Sequence, residues 1–280
     1  MTAAPLPALA SPVRRALVWR GGIVLTLFLC VLLGALALAQ SSTDVNHLTR
    51  NLSPSLAHPF GTDALGRDML ARTLAALAVS VQVGLFAAFI STMIAVALGL
   101  IATFSTTADR IVGVASEMAL GLPHFVLILL VAYAAGGGMT GVIVAVGLTH
   151  WPRLARLLRL EAQTIATSDF VAVSRALGRS RVWVARRHLA PHLLPQIVAG
   201  FVLIFPHAVL HEAGLSFIGL GIPPHLPSIG VILSESFRGI LAGHWWLALF
   251  PGMGLVAVAL SFEMFGETLR RAADPTEGVA

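Results

Sequence analysis

The chain has 280 residues, of which 57% are hydrophobic and 11% charged, with a formal net charge of +5 and a mean hydropathy of +0.87. A soluble domain carries about 25% charged residues, so a water-soluble globule is excluded, as are a collagenous or disordered chain and, with only Cys30 present, a disulfide scaffold. All 18 basic residues are Arg. Without Lys there is neither a P-loop lysine for a nucleotide nor an amine for a Schiff base, so any ATP used on this chain's behalf is hydrolysed by a partner.

A helix crossing a bilayer needs roughly 20 apolar residues, and the chain offers six such runs. The first is 21–39, preceded by Arg14, Arg15 and Arg20 in an N-terminal segment, 1–20. It exceeds the usual signal-peptide core of about 7–15 residues and reads as a retained anchor. A polar loop follows at 40–73. The second span has its core at 79–104, the third covers 118–135, and the fourth 139–158, the last two separated by Gly136-Gly137-Gly138. The fifth runs from Leu189 to Leu210 and on to Glu212, and the sixth from Trp245 to Phe262, with Trp245 and Trp246 as expected interface anchors. These runs predict an all-α polytopic membrane protein: a first helix, a five-helix permease domain over 74–268 and a tail at 269–280.

Six spans put both termini on one side. With the N-terminus inside, Arg14, 15, 20, 110, 153, 156, 159, 175, 179, 181, 186, 187, 270 and 271 lie inside, and only Arg50, 67, 72 and 238 lie outside. That asymmetry is the positive-inside pattern. It assigns the positive charge to a membrane face rather than to nucleic acid, and places both termini in the cytoplasm. The glycine- and proline-containing stretch 215–236 is not a regular helix throughout, and irregular backbone does not face lipid. It is expected to pack on protein or at the outer surface.

The long inner loop, 161–187, contains a short helix. Ser168 or Asp169 caps its start, Phe170, Val173 and Leu177 form an apolar stripe at helical spacing, and Gly178 supplies a stop. Such a helix suits docking into a groove on a partner or lying flat on lipid.

The pattern Phe170-Val171-x-x-x-Arg175-x-x-Gly178, followed by His188-Leu189-Ala190-Pro191, resembles the coupling motif of ABC importer permeases. The strings His58-Pro59-Phe60-Gly61-Thr62-Asp63-Ala64-Leu65-Gly66-Arg67-Asp68 and Leu215-Ser216-Phe217-Ile218-Gly219-Leu220-Gly221 resemble signatures of the dipeptide/oligopeptide/nickel permease family. The resemblance covers 56–275. It implies a MetI-like permease core and a bacterial inner-membrane location. It also implies a second permease subunit, two cytoplasmic ATPases carrying ATP and Mg, and an outer substrate-binding protein, with no cofactor bound by this chain. Asp169, Phe170, Val173, Arg175, Leu177 and Gly178 would then form the coupling helix. One departure stands out: the motif's Glu-Ala-Ala positions hold Ala172, Val173 and Ser174, so Asp169 is the acidic residue left for an ATPase contact.

Two groups of polar residues carry the remaining expectations. Gly61, Thr62, Asp63, Gly66, Arg67 and Asp68 form turns and ion pairs that pin the outer loop, or contact substrate. His207, His211 and Glu212 lie in the fifth span and His150 in the fourth, where ionisable groups mark pathways or buried pairs. His207 and His211 share a helix face and make a ligand pair for nickel, zinc or copper. The alternatives are packing against the second permease subunit, or holding a peptide terminus. The string His207-x-x-x-His211-x-Ala213-Gly214-x-Ser216-Phe217 resembles the nickel-permease C branch of the family, which implies nickel or another transition metal, free or chelated, as cargo. A dipeptide or oligopeptide importer is the alternative. An intramembrane zinc protease is disfavoured because Leu215 stands where HExxH needs its second His. An ion channel has no use for a docking helix.

Overall fold

The computed structural model describes residues 11–273, and these form an all-helical bundle: α1 (Ser11–Ala37), α2 (Met69–Phe104), α3 (Thr106–Gly121), α4 (His124–Ala134), α5 (Gly138–Thr149), α6 (Trp151–Ala166), α7 (Asp169–Ala176), α8 (Arg181–Val184), α9 (Ala190–Phe217), α10 (Ile229–Leu241) and α11 (Trp246–Ala273). Among the described residues, four helical rods are long and apolar enough to cross a membrane alone, namely α1, α2, α8 running on through α9, and α11.

The two other expected spans are built differently. The run 118–135 is not one helix: α3 and α4 meet at Leu122-Pro123 with a bend of 102°. The proline ring disfavours helical backbone at the residue before it, and Leu122 is extended at φ −88°, ψ 147°. α4 alone has 11 residues, about 16 Å of helix, which is too short to cross about 30 Å of hydrocarbon. The run 139–158 is divided at His150 into α5 and α6. Pro152 sits in the first turn of α6, where its missing N–H removes no hydrogen bond.

Other boundaries shift as well. Residues 11–20, inside the segment 1–20 read as non-spanning, are already helical, and α2 starts at Met69 because Asp68 caps it, accepting from the Ala71 N–H at 3.0 Å. α9 extends past Glu212 to Phe217 and α11 past Phe262 to Ala273. Residues 274–280 of the expected tail lie outside the described residues. The stretch 215–236 contains the start of α10, which the sequence pattern did not reveal. It packs on α9 and α11 through buried Ile229, Val231 and Ile232, in keeping with the expected protein contact.

α2 is the axis of the bundle, packed on α5, α6 and α9. Its buried face is made of small side chains such as Ala76, Ala87, Ala88, Ser91 and Ala95. Small residues let helix backbones approach when burial from water no longer drives association. Gly84 is the closest such point: a Cβ there would sit 2.5 Å from the Val209 side chain. α1 lies at the periphery, only 11% buried over its apolar window, and rests on α11 and α2.

Candidate functional site

Three polar constructions stand out along the bundle, one at each end and one at mid-depth. At one end, the loop preceding α2 is folded around Asp63. Its Oδ1 accepts from the N–H groups of Leu65 and Arg67 at 2.8 and 2.9 Å. Its Oδ2 accepts from Arg67 Nε and Arg72 Nη1, both at 2.7 Å. Arg72 carries the chain of charge onward, donating to Glu235 of α10 at 2.9 Å. Asp68 caps α2 and holds His58 at 2.8 Å. Thr62 is fully buried, its hydroxyl bonded to the backbone of Thr49 and Leu52. The indole of Trp246 donates to the Thr62 carbonyl at 3.2 Å. That contact corrects the expected membrane-interface role of Trp246, which is buried against the loop while Trp245 remains half exposed. Gly61 and Gly66 have φ of +71° and +76°. A Cβ on Gly66 would collide with the Asn46 carbonyl, so glycine is required there twice over.

At the other end, α7 spans Asp169–Ala176 with Ser168 before it and Gly178 at φ +79° after it. The N–H of Arg179 closes the end on the Ser174 carbonyl at 3.1 Å. The stripe faces outward: Phe170 is 43%, Val173 59% and Leu177 75% exposed, whereas Val171 on the opposite face is fully buried. Asp169 and Arg175 are also exposed. α7 is tied to the approach to α9 by Ser174 Oγ to His188 Nε2 at 2.9 Å and by ring contacts of Phe170 with His188 and His192.

Between these ends lies a cavity of about 550 Å³ whose lining includes His124, His150, Arg153, His207, Glu263 and Glu267. His207 lies outside the group of three histidines, His124, His150 and His211, whose ring nitrogens cluster. His207 lies exposed on the cavity wall, its Nδ1 hydrogen-bonded to the Leu203 carbonyl at 3.0 Å. His211 turns instead to His150 and to His124, a residue to which sequence reasoning gave no role. One ring nitrogen from each of these three lies within 4.8 Å of the others. Glu212 is absent from the cavity lining and fully buried. It accepts from Ser216 at 2.7 Å and Ser228 at 2.8 Å, and interacts with Ser80 of α2. Ser216 in turn accepts from the N–H of Ile222 at 2.9 Å, so Glu212 fastens the 218–228 loop against the end of α9.

Comparison with known proteins places this architecture. Residues 95–274 match the family model described as binding-protein-dependent transport system inner membrane component. The chain belongs to this family. It is an ABC importer permease and an integral membrane protein. It is similar to the dipeptide transport system permease protein DppC of Bacillus subtilis (strain 168), with 33% identity over 254 residues, 90% of this chain and 79% of that protein. It is also similar to a putative peptide permease protein of Brucella suis biovar 1, with 34% identity covering 91% of this chain and 85% of the relative. A putative peptide transport system permease protein of the same organism is 32% identical over 79% of this chain and 75% of its own length. These names speak for peptide and not for nickel, the reverse of the order expected from the histidine string.

Proposed function

We propose that this chain is a permease subunit of an ATP-driven importer for dipeptides or short oligopeptides. One observation carries that reading: three relatives at 32–34% identity over most of this chain are named as dipeptide or peptide permeases. The α7 end faces the cytoplasm, as the arginine asymmetry directs, and the loop around Asp63 faces outward, where a binding protein delivers cargo. A second permease subunit completes the pathway. Two ATPase subunits supply the energy, and one of them grips the Phe170–Val173–Leu177 stripe, with Asp169, Arg175 and Gly178 framing it, so that nucleotide-driven closure moves the bundle as a rigid-body switch of access.

The test is transport by the purified complex in proteoliposomes, with its cognate binding protein and radiolabelled di- and tripeptides. ATP-dependent accumulation of peptide is the expected result. Failure to accumulate any peptide, with ATPase activity and assembly intact, overturns the reading. A second reading, nickel or another transition metal as cargo, is favoured by the gathering of His124, His150 and His211 beside the cavity.

A further inference from the structure

We infer that His124, His150 and His211 form a binding site for one divalent late first-row metal ion at the edge of the cavity. The inference deepens the transport reading by naming a chemistry its cargo can carry, and it is tested by binding rather than by uptake.

Each ligand comes from a different element, so the site exists only when the bundle is assembled. His124 opens α4 immediately after the Pro123 break, His150 is the joint between α5 and α6, and His211 lies one turn beyond Pro206 in α9. The two backbone interruptions that split the expected third and fourth spans are therefore the places where two of these imidazoles, His124 and His150, enter the bundle.

The nitrogen geometry suits a metal. Two nitrogens bound to one zinc-like ion at about 2.0–2.1 Å in a tetrahedral array lie about 3.3–3.4 Å apart, and Nε2 of His124 is 3.3 Å from Nε2 of His150. The third imidazole needs only a side-chain adjustment, since its ligand atom lies within 4.8 Å of the other two. The ring planes meet edge to face, at 63° to 77°, which is compatible with three nitrogens converging on one point.

His150 is also oriented as a ligand. Its Nδ1 lies 3.0 Å from the Val146 carbonyl. A carbonyl only accepts, so Nδ1 carries the proton and the lone pair resides on Nε2, the atom facing His124. Orientation of a ligating imidazole by a backbone carbonyl on its far nitrogen is the usual arrangement at metal sites. Three neutral imidazoles, without thiolate or carboxylate, favour nickel, copper or zinc over magnesium or calcium. Because His124 and His150 also line the cavity, a metal held by three protein nitrogens has an open position on that side, where a water or a group of a chelating peptide completes the coordination.

The experiment uses the whole detergent-purified importer. Equilibrium dialysis against NiCl2, ZnCl2 or CuCl2, with metal counted by mass spectrometry, is expected to give one ion per copy of this chain that the His150→Gln/His211→Gln variant does not bind. His124→Gln, His150→Gln and His211→Gln should each weaken binding at least tenfold with the complex still assembled. His225→Ala, in the 218–228 loop, removes an unrelated histidine and should leave binding unchanged. X-ray absorption of the nickel-loaded complex should show imidazole scattering that falls in the variants. Binding should decline as pH is lowered, because protonation takes the lone pair. Repeating the dialysis with nickel mixed with glycyl-histidine separates the two sources: retention of the peptide together with the metal identifies a chelate, and retention of metal alone identifies the free ion. Metal content unchanged in a His150→Gln/His211→Gln double variant, or no binding above that variant in the unmodified complex, overturns the site. Peptide transport failing while metal binding persists would overturn the peptide reading and leave this site standing.

Discussion

Leu177 offers a clean test of the coupling surface, because it contributes little to the fold of its own chain. It is 75% exposed, and its N–H is already engaged with the Val173 carbonyl at 3.0 Å. Burying a leucine fully contributes about 1.5–3 kcal/mol. Three quarters of its surface is still available, so a partner groove that covers it gains about 1–2 kcal/mol, a factor of roughly 5 to 30 in affinity. Leu177→Ser should therefore leave the isolated permease at its original thermal stability and weaken ATPase docking by that factor. Val173→Ser, at 59% exposure, should act in the same direction by a smaller amount. The assay is titration of the ATPase subunits onto permease in nanodiscs, with transport-coupled ATP turnover read in parallel. Unchanged docking and unchanged uptake in a Val173→Ser/Leu177→Ser double variant would refute the assignment of this stripe to the motor. Gly178→Val probes the same surface through the backbone. No atom crowds a Cβ at Gly178, but its φ of +79° costs a side chain about 1–2 kcal/mol, so the variant should fold and lose coupling between hydrolysis and uptake.

The remaining predictions concern the fold around the pathway. Asp63→Ala removes one of the two carboxylates that hold Arg72; with Glu235 still paired to it, the variant should destabilise the protein by about 1–3 kcal/mol, measured by unfolding in mixed detergent, and a cycle with Arg72→Leu should recover part of that loss. Glu212→Ala strands the hydroxyls of Ser216 and Ser228 and should cost about 2–4 kcal/mol, whereas Glu212→Gln keeps an acceptor and should cost less; limited proteolysis across 218–228 reads the difference. Gly84→Val drives side-chain atoms into Val209 and Phe205 and should lower stability by about 1–3 kcal/mol or more, seen as a lower unfolding temperature of the assembled complex.

Much of this architecture was legible because it rests on local rules. Apolar run length located α1, α2, α9 and α11, and the Ser168–Gly178 punctuation delimited α7 to within a few residues. The Asp63–Arg67 pair lies four residues apart in one loop and was readable for the same reason. What escaped depends on where the chain bends. Uncharged sequence over 118–135 gives the same hydropathy whether the helix runs straight or turns at Leu122-Pro123, and the proline was the only available signal. Once that bend is missed, His124 has no location and the histidine trio cannot be assembled. The spacing of His207 and His211 was real, but a shared face fixes only direction along one helix, not which neighbours stand opposite. Three histidines in three consecutive apolar runs were the available clue, and it lay across segments rather than within one. α10 was hidden by the glycines and prolines that precede it.

α8 and α9 with the π-helical turn between them form a continuous 37-residue rod, Arg181–Phe217, about 55 Å long at helical rise. Its foot is clasped to α7 through His188, and its far portion bears both His211 and the carboxylate that latches the 218–228 segment. Over that length, a tilt of the foot by a few degrees corresponds to a displacement of several ångströms at the far tip. The coupling end and the latched 218–228 segment are thus joined by one unbroken helical element rather than by a chain of separate contacts.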